Sequence, residues 1–568
     1  MCPFADTPDL QKGILMRWFT MAWLVRITTI VLGLLTWGVA HAAETVPADR
    51  PNIVFILCDD LGYGDVACNN PQGKIPTPRI DRLAAGGMRF TDAHSTSSVC
   101  TPTRYGVLTG RYNWRSRLQS GVLGGLSPRL IEPGRMTVAQ MLRLGGYHTA
   151  CIGKWHLGMK WSLKPDAKGF GDRIEKGPEG WNVDYSKPIT DGPNSVGFDY
   201  YFGIAASLDM VPYTFIENDR VTALPTEAKA FSMMLGRRGT TRRGPGAAQF
   251  DAVDVLPTLT RKAVDYIARR TAPAAGGKPF FLYLPYASPH TPIVPSPEWQ
   301  GRSGLNYYAD FVMQTDACVG EVLDALAKHG VADNTLVIFT SDNGCSPQAD
   351  FPALLEKGHD PSYVFRGHKA DIWDGGHRVP FIVRWPGKIP AGTTSDQLVS
   401  LVDLTATCAE IIGVKLPNNA AEDSVSFLPV LHGKTDRPVR DALVHHSISG
   451  KFSIRQGRWK LELCPGSGGW SAPRDAQAAE QGLPSIQLYD MNLDPGERQN
   501  VQADHPDVVK ELTTLLEQYV ARGRSTPGAP QKNNASIDIW KQSAKAKANK
   551  KPHKKGKQGA ALNRPAGA

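Results

Sequence analysis

The chain has 568 residues, 41% of them hydrophobic, and 64 Lys and Arg face 54 Asp and Glu for a formal net charge of +10. This length and apolar content exclude a disordered or fibrous chain and fit one large domain plus a smaller one. The charge does not point to nucleic acid: nine Lys or Arg and no acid lie between Lys541 and Arg564, leaving a body of about +1, so no specific nucleic-acid partner is expected.

In chain order, residues 16–43 carry Arg17 and Arg26, then the apolar run Ile27–Val39, then Ala40-His41-Ala42. That order of charged region, short hydrophobic region and A-x-A site reads as a secretory signal within residues 1–43. The uncharged run is shorter than the ~20 apolar residues of a spanning helix, so no membrane span is expected. The mature protein is expected to be exported, periplasmic or secreted. Its nine cysteines are sparse and lack CxxC pairs, which fits neither a disulfide scaffold nor a zinc site.

Asn52–Leu57, NIVFIL, is a continuous apolar run suited to a strand buried on both faces, and it ends in Cys58-Asp59-Asp60. Met136–Leu144 has helical spacing, Gly145-Gly146 stops it, and Tyr147–Ile152 reads as a strand running into GKWHLG. Residues 160–250, rich in Gly, Pro and charge, predict long loops near a site. Phe280–Leu284 is a further strand leading to YASPHTP, and Tyr307–His329 a helix. Thr335–Thr340 is a strand ending in SDNG, and Pro380–Trp385 another. This α/β alternation predicts a mixed, mostly parallel sheet flanked by helices, with the ligand site beyond the strand C-termini. After residue 430, KFSIRQGRWKLEL and IQLYDMNLDPGERQN read as short antiparallel strands and Val508–Ala521 as an amphipathic helix. The expected division is a main domain at 44–430, a smaller C-terminal α+β subdomain (antiparallel sheet plus helix) at 431–525, and a disordered basic tail at 526–568.

The polar residues at those strand ends form one set. Asp59, Asp60, Asp342 and Asn343 are four oxygen-bearing side chains on two loops. Adjacent carboxylates repel, and all-oxygen ligation suits Ca²⁺ or Mg²⁺ rather than zinc. Flexible loops favour Ca²⁺, which accepts an irregular shell. Either pair alone is common turn chemistry. Cys100 with Arg104, Lys154 with His156, His290 and Lys369 add three cations and two imidazoles. Around a dication these make an anion pocket for a sulfate or phosphate ester.

CTPTR followed by YGVLTG resembles the first signature of the type I, formylglycine-dependent sulfatases, and GYHTACIGKWHLG resembles the second. DDLGYGD, ASPHTP, SDNG, FRGHKADIWDGGHRVP and LYDMNLDPGERQN follow in family order, so the resemblance runs from about Asn52 to Ala521. The nearest branch is that of arylsulfatases and N-acetylgalactosamine-6-sulfatases. The resemblance implies an alkaline-phosphatase-like core with a C-terminal four-stranded sheet, and oxidation of Cys100 to formylglycine by a maturation enzyme. It implies one divalent cation on Asp59, Asp60, Asp342, Asn343 and residue 100. It assigns Arg104 to orienting residue 100, Lys154 and Lys369 to the sulfate, His290 to protonating the leaving oxygen and His156 to releasing sulfate. Ser207, in YFGIAASLD, would line the substrate pocket. Thr103 stands where the family more often has serine.

The implied activity is release of sulfate from a sulfated carbohydrate or aryl sulfate, acting at chain ends. Two alternatives stand beside it. A phosphate or phosphonate ester hydrolase of the same superfamily commonly has a Ser or Thr nucleophile and two metals. A non-catalytic binder of sulfated glycans would have lost site residues. Loops within 160–250, with Trp114, Tyr213, Trp373 and His377, are expected to wall the sugar pocket.

Overall fold

The computed structural model describes residues 50–541, apart from Thr435. The expected secretory signal lies outside the described residues, as does the basic stretch beyond Lys541. Among the described residues no helix is long and apolar enough to cross a membrane.

The apolar runs become the centre of one sheet. Its strands are β1 (Asn52–Asp59), β2 (Met88–Phe90), β3 (His148–Lys154), β4 (Tyr200–Ile204), β5 (Ile216–Glu217), β6 (Arg220–Val221), β7 (Phe280–Pro289), β8 (Thr335–Ser341), β9 (Phe381–Arg384) and β10 (Thr393–Ser395). Their spatial order is β10-β2-β9-β8-β1-β7-β3-β4-β5-β6. The five central strands, β8-β1-β7-β3-β4, are all parallel. β9 and β5 join antiparallel on either side, as do the neighbours β2 and β6 beyond them. Every residue of β1, β7 and β8 is buried, as a parallel sheet covered on both faces requires. The two-residue strands were not readable in the sequence because two positions show no period.

Helices α1 (Pro78–Ala85), α4 (Val255–Thr271) and α5 (Tyr307–Lys328) pack together on the sheet. A second group is α2 (Cys100–Thr109), α3 (Val138–Leu144) and α6 (Leu404–Ile412). The helices expected at Met136–Leu144 and Tyr307–His329 are found, α3 starting two residues later and α5 ending one residue earlier than read. α2 is buried along its whole length, so it has no polar face for the sequence to show. β3 closes tightly on β7: Gly153 has φ +145°, and a Cβ there would sit 1.9 Å from Pro285 O. Only glycine fits, and this delivers Lys154 to the end of the strand.

The C-terminal part is an antiparallel meander of β11 (Ala442–His446), β12 (Phe452–Gln456), β13 (Trp459–Glu462) and β14 (Gln487–Asp490). Helix α7 (Pro506–Arg522) covers it and buries Leu512 and Leu516. Sheet, helices and meander together are the expected fold class.

One expectation is corrected. Residues 526–541, assigned to a disordered tail, pack on the body: Ile539 enters the apolar cluster of the meander. Arg111 Nη2 donates to Lys532 O at 2.8 Å, Arg115 Nη1 to Asn533 Oδ1 at 3.0 Å, and Asn534 N to Arg115 O at 2.7 Å. The contacts are polar and far apart in sequence, which composition does not reveal.

Arg115 is fully buried with Asp423: Nε and Nη2 donate to its two oxygens at 2.8 Å each. Burial raises the Asp423 carboxyl, but Arg115 outweighs this and holds it below its ordinary value. Asp423→Ala strands a buried guanidinium and should cost about 3–5 kcal/mol, read as a lower Tm. A depressed carboxyl stabilises above its unfolded pKa, about 3.9, and this is lost as pH falls through the folded value. The wild type should therefore lose Tm more steeply than Asp423→Ala on acidification below about pH 4.

Candidate active site

The C-terminal ends of β1, β3, β7 and β8 each deliver part of one buried cluster. β1 ends in Asp59, with Asp60 next in the left-handed region at φ 65°. β3 ends in Lys154, and His156 beyond it also has a positive φ of 56°. Two non-glycine residues in that region mark backbone held by its surroundings at a functional site. β7 leads to His290, and β8 to Asp342 and Asn343. Cys100 is the first residue of α2, where backbone N–H groups and the helix dipole favour negative charge.

Most of the contacts are charge-assisted. Lys154 Nζ donates to Asp59 Oδ2, and Lys369 Nζ to Asp60 at 2.7 Å. Arg104 donates from Nε (3.0 Å) and Nη2 (2.7 Å) to Asp342 Oδ2, and from Nη1 to Lys154 O at 3.0 Å. Cys100 Sγ lies 3.4 Å from Asp59 Oδ1. Asn343 Nδ2 donates to Asp60 Oδ1 at 2.8 Å and to Gly344 O at 2.9 Å. Its Oδ1 is buried without a hydrogen-bond partner. Asp59, Asp60, Cys100 and His290 each bring one ligand atom within 4.8 Å of the others. Asp342 stands beside this group, its Oδ2 taken by Arg104.

Electrostatics follow from burial. Desolvation raises the Asp59 carboxyl, but Lys154, His290 and Arg104 outweigh it and hold it well below its usual range. Arg104 is disfavoured by burial and raised overall by Asp342 and Asp59. Burial pushes the Cys100 thiol well up, and Asp342 and Asp59 push it further. An unmodified thiol here is a poor thiolate nucleophile. His156 is kept neutral by burial and by Lys154 and Arg104. Its Nε2 meets Leu123 O at 2.8 Å and so donates there, which leaves Nδ1 as a lone pair, buried and without a partner. Burial and Lys369 also lower His290. Its Nδ1 donates to Thr291 O at 2.6 Å, and its Nε2 lies 3.7 Å from Asp60 Oδ2.

The donor set fits a hard dication. It is oxygen-rich, and the amide oxygen of Asn343 has nothing else to bind. Three carboxylates (Asp59, Asp60, Asp342) face three cations (Arg104, Lys154, Lys369). The bare cluster is near neutrality, and a dication leaves a surplus that an anionic ester matches.

A cavity of about 430 Å³ opens on Cys100, His156, Ser207, His290 and Lys369, at the low end of small-ligand sites. The remaining expected residues (Asp59, Asp60, Arg104, Lys154, Asp342 and Asn343) lie beneath it. Residues 160–250 supply much of its wall, including Ile174, Asp209, Met210 and Arg242. The four expected aromatic and imidazole wall residues are not there. Trp114 packs in the core of the meander under Arg115, and Tyr213 is buried on Phe231. Trp373 is buried under Arg366, and His377 stacks on His445 at 3.8 Å. Sequence gives an aromatic's bulk and not its direction. Asp209, Arg242 and Trp470, which do line the cavity, were missed. Recognising β4 as a strand would have placed Asp209 at a strand end.

Comparison with known proteins decides the family. The model of the family described as Sulfatase matches residues 51–414, and N-acetylgalactosamine-6-O-sulfatase of Bacteroides thetaiotaomicron is 35% identical over 521 residues, 84% of this chain and 94% of that protein. The chain belongs to the sulfatase family. This sulfatase is also 32% identical to human arylsulfatase A over 499 residues, covering 84% of the chain and 89% of that protein. The model described as N-sulphoglucosamine sulphohydrolase, C-terminal, matches residues 368–463. A solved structure from work on the metabolism of multiple glycosaminoglycans by B. thetaiotaomicron superposes with a TM-score of 0.70. It is 34% identical and covers 83% of this sulfatase and 99% of that chain. The phosphonate monoester hydrolase of Agrobacterium radiobacter shares the fold at a TM-score of 0.51 and 20% identity, covering 83% and 95%. The sulfatase is thus a hydrolase of sulfate esters on an alkaline-phosphatase-like fold.

Arg104 joins Asp342 to the end of β3 through a planar fork that lysine lacks. Arg104→Lys should lower kcat/KM by about 10²-fold, the cost of a misplaced reacting group. Steady-state kinetics on protein with a confirmed melting transition would check this.

Proposed function

We propose that the sulfatase removes sulfate from a sulfated carbohydrate outside the cytoplasm, using formylglycine made from Cys100 by a maturation enzyme. In this reading a secretory signal within residues 1–43 precedes a catalytic domain at 44–430 and a subdomain at 431–525. One observation carries the proposal: Cys100 is buried at a helix N-terminus beside paired carboxylates, three cations and two imidazoles. Such a set suits a charged sulfuryl group and not a thiol nucleophile.

Asp59, Asp60, Asp342 and Asn343, with residue 100, would hold one divalent cation, Ca²⁺ in preference to Mg²⁺. Bound there it supplies Lewis-acid polarisation and lowers the pKa of a nearby hydroxyl. The hydrated aldehyde supplies two hydroxyls on one carbon, so residue 100 can attack sulfur and later expel sulfate without external water. Lys154 and Lys369 hold charge against the sulfate oxygens. Arg104 spends its donors on Asp342 and Lys154 O and so fixes α2, and residue 100 with it. His290 has Nδ1 tied to Thr291 O, so Nε2 is the atom that can carry a proton to the leaving oxygen. His156 has Nε2 tied to Leu123 O, so Nδ1 takes the proton released as sulfate departs. Burial of the cluster keeps competing water out.

Mass spectrometry of the peptide containing residue 100 should show the aldehyde, and the protein should hydrolyse an activated aryl sulfate. Fully active protein with an unmodified thiol would overturn the mechanism. Cys100→Ser should lose at least about 10³-fold in kcat, as enzymes stripped of a nucleophile do. Activity lost to a chelator should return with Ca²⁺ more fully than with Mg²⁺. His290→Ala should lower kcat by about 10²–10⁴-fold on sugar sulfates, and by less on aryl sulfates, whose leaving group needs less protonation.

A further inference from the structure

The wall of the cavity holds a carboxylate that the chemistry above does not use. Asp209 lies just past β4, on the turn closed by Met210 N donating to Ser207 O at 2.9 Å. Arg242 Nη1 donates to Asp209 Oδ2 at 2.6 Å and to its backbone oxygen at 3.1 Å. One nitrogen thus ties the carboxylate to its own backbone carbonyl and holds the side chain in place. Its other oxygen, Oδ1, is buried without a hydrogen-bond partner, on a residue that lines the cavity. Ser207, 2% exposed on the same turn, has an Oγ in the same condition. A carboxylate oxygen in that state is costly to leave unmatched. It accepts and cannot donate, so its natural partner is a donor brought by the ligand.

That requirement selects among ligands. A sulfate or carboxylate group brings no donor and so leaves Oδ1 unmatched, even though Arg242 offsets the charge of Asp209. A sugar hydroxyl brings the donor and no charge. Met210, Met233 and Trp470 give the same cavity an apolar wall, which suits a pyranose ring with one polar edge. We infer that Asp209 reads a free hydroxyl of the sugar bearing the scissile sulfate, which makes neutral, singly sulfated sugars the substrate class. A uronate carboxylate or a second sulfate at that edge leaves Oδ1 without a donor and is selected against. Asp209 is a specificity residue, and this inference rests on the sulfated-carbohydrate reading above.

The test compares Asp209→Asn and Asp209→Ala with wild type on three substrates. These are a monosulfated hexosamine, its deoxy analogues lacking one ring hydroxyl each, and an aryl sulfate, which has no sugar hydroxyl. In the variants the ratio of kcat/KM for sugar to that for aryl sulfate should fall about 10- to 100-fold, the size of one hydrogen bond to a charged group, with most of the loss in KM. One deoxy analogue should be poor for wild type and no worse than its parent for the variants. Thermal melts confirm folding. Equal losses on sugar and aryl sulfate, or a wild type indifferent to every deoxy analogue, would overturn the inference. A wild type that hydrolyses the aryl sulfate but no sugar sulfate would overturn the carbohydrate reading and this inference with it. Inactivity on all three, with the aldehyde present, would overturn the proposed function itself.

Discussion

Burying three carboxylates and three cations in one place is the constraint on which the rest of the structure depends. None of these charges can be left alone at low dielectric, since each pays a desolvation cost that only a close partner offsets. Asp59 therefore answers Lys154, Asp60 answers Lys369, and Asp342 answers Arg104. These six residues come from five separated segments of sequence. The sheet that carries them must hold its strand ends in fixed register. The parallel pairing of β8, β1, β7 and β3 does so, with Gly153 letting β3 close on β7.

The same arrangement separates structural from chemical work. Arg104 is held by Asp342 and Lys154 O, whereas His156 and His290 each have one ring nitrogen anchored on a backbone carbonyl and leave the other to the proton transfer proposed above. Anchoring one nitrogen fixes both tautomer and ring orientation. Burial, with the surrounding cations, keeps both imidazoles toward the neutral form. Cys100 sits where burial and the neighbouring carboxylates suppress the thiolate, at the first residue of a helix.

Much of this was legible in the residues. The central strands announced themselves as unbroken apolar runs, because a strand buried on both faces has no polar side to interrupt it. Asp59, Asp60, Lys154, His156, His290, Asp342 and Asn343 lie just beyond those runs, so their convergence followed from the topology, whereas Cys100, Arg104 and Lys369 were placed by family order. What sequence withheld has physical causes. Helix α2 is buried all round and shows no amphipathic period. The edge strands are too short for alternation to register. Trp114, Trp373 and His377 looked like pocket walls, yet their direction is set by partners such as Arg115, Arg366 and His445. Residues 526–541 are held by distant arginines rather than by their own composition. Asp209 was hidden because β4 was not recognised.

The central claim is that the cluster is near charge neutrality alone and becomes an anion site when a dication joins it. Calorimetric titration of inorganic sulfate into the aldehyde-bearing protein, chelator-stripped and then reloaded with Ca²⁺, tests this most directly. Sulfate should bind only when the cation is added, and binding should be lost in Asp60→Ala. Equal affinity for sulfate in stripped and reloaded protein would contradict it.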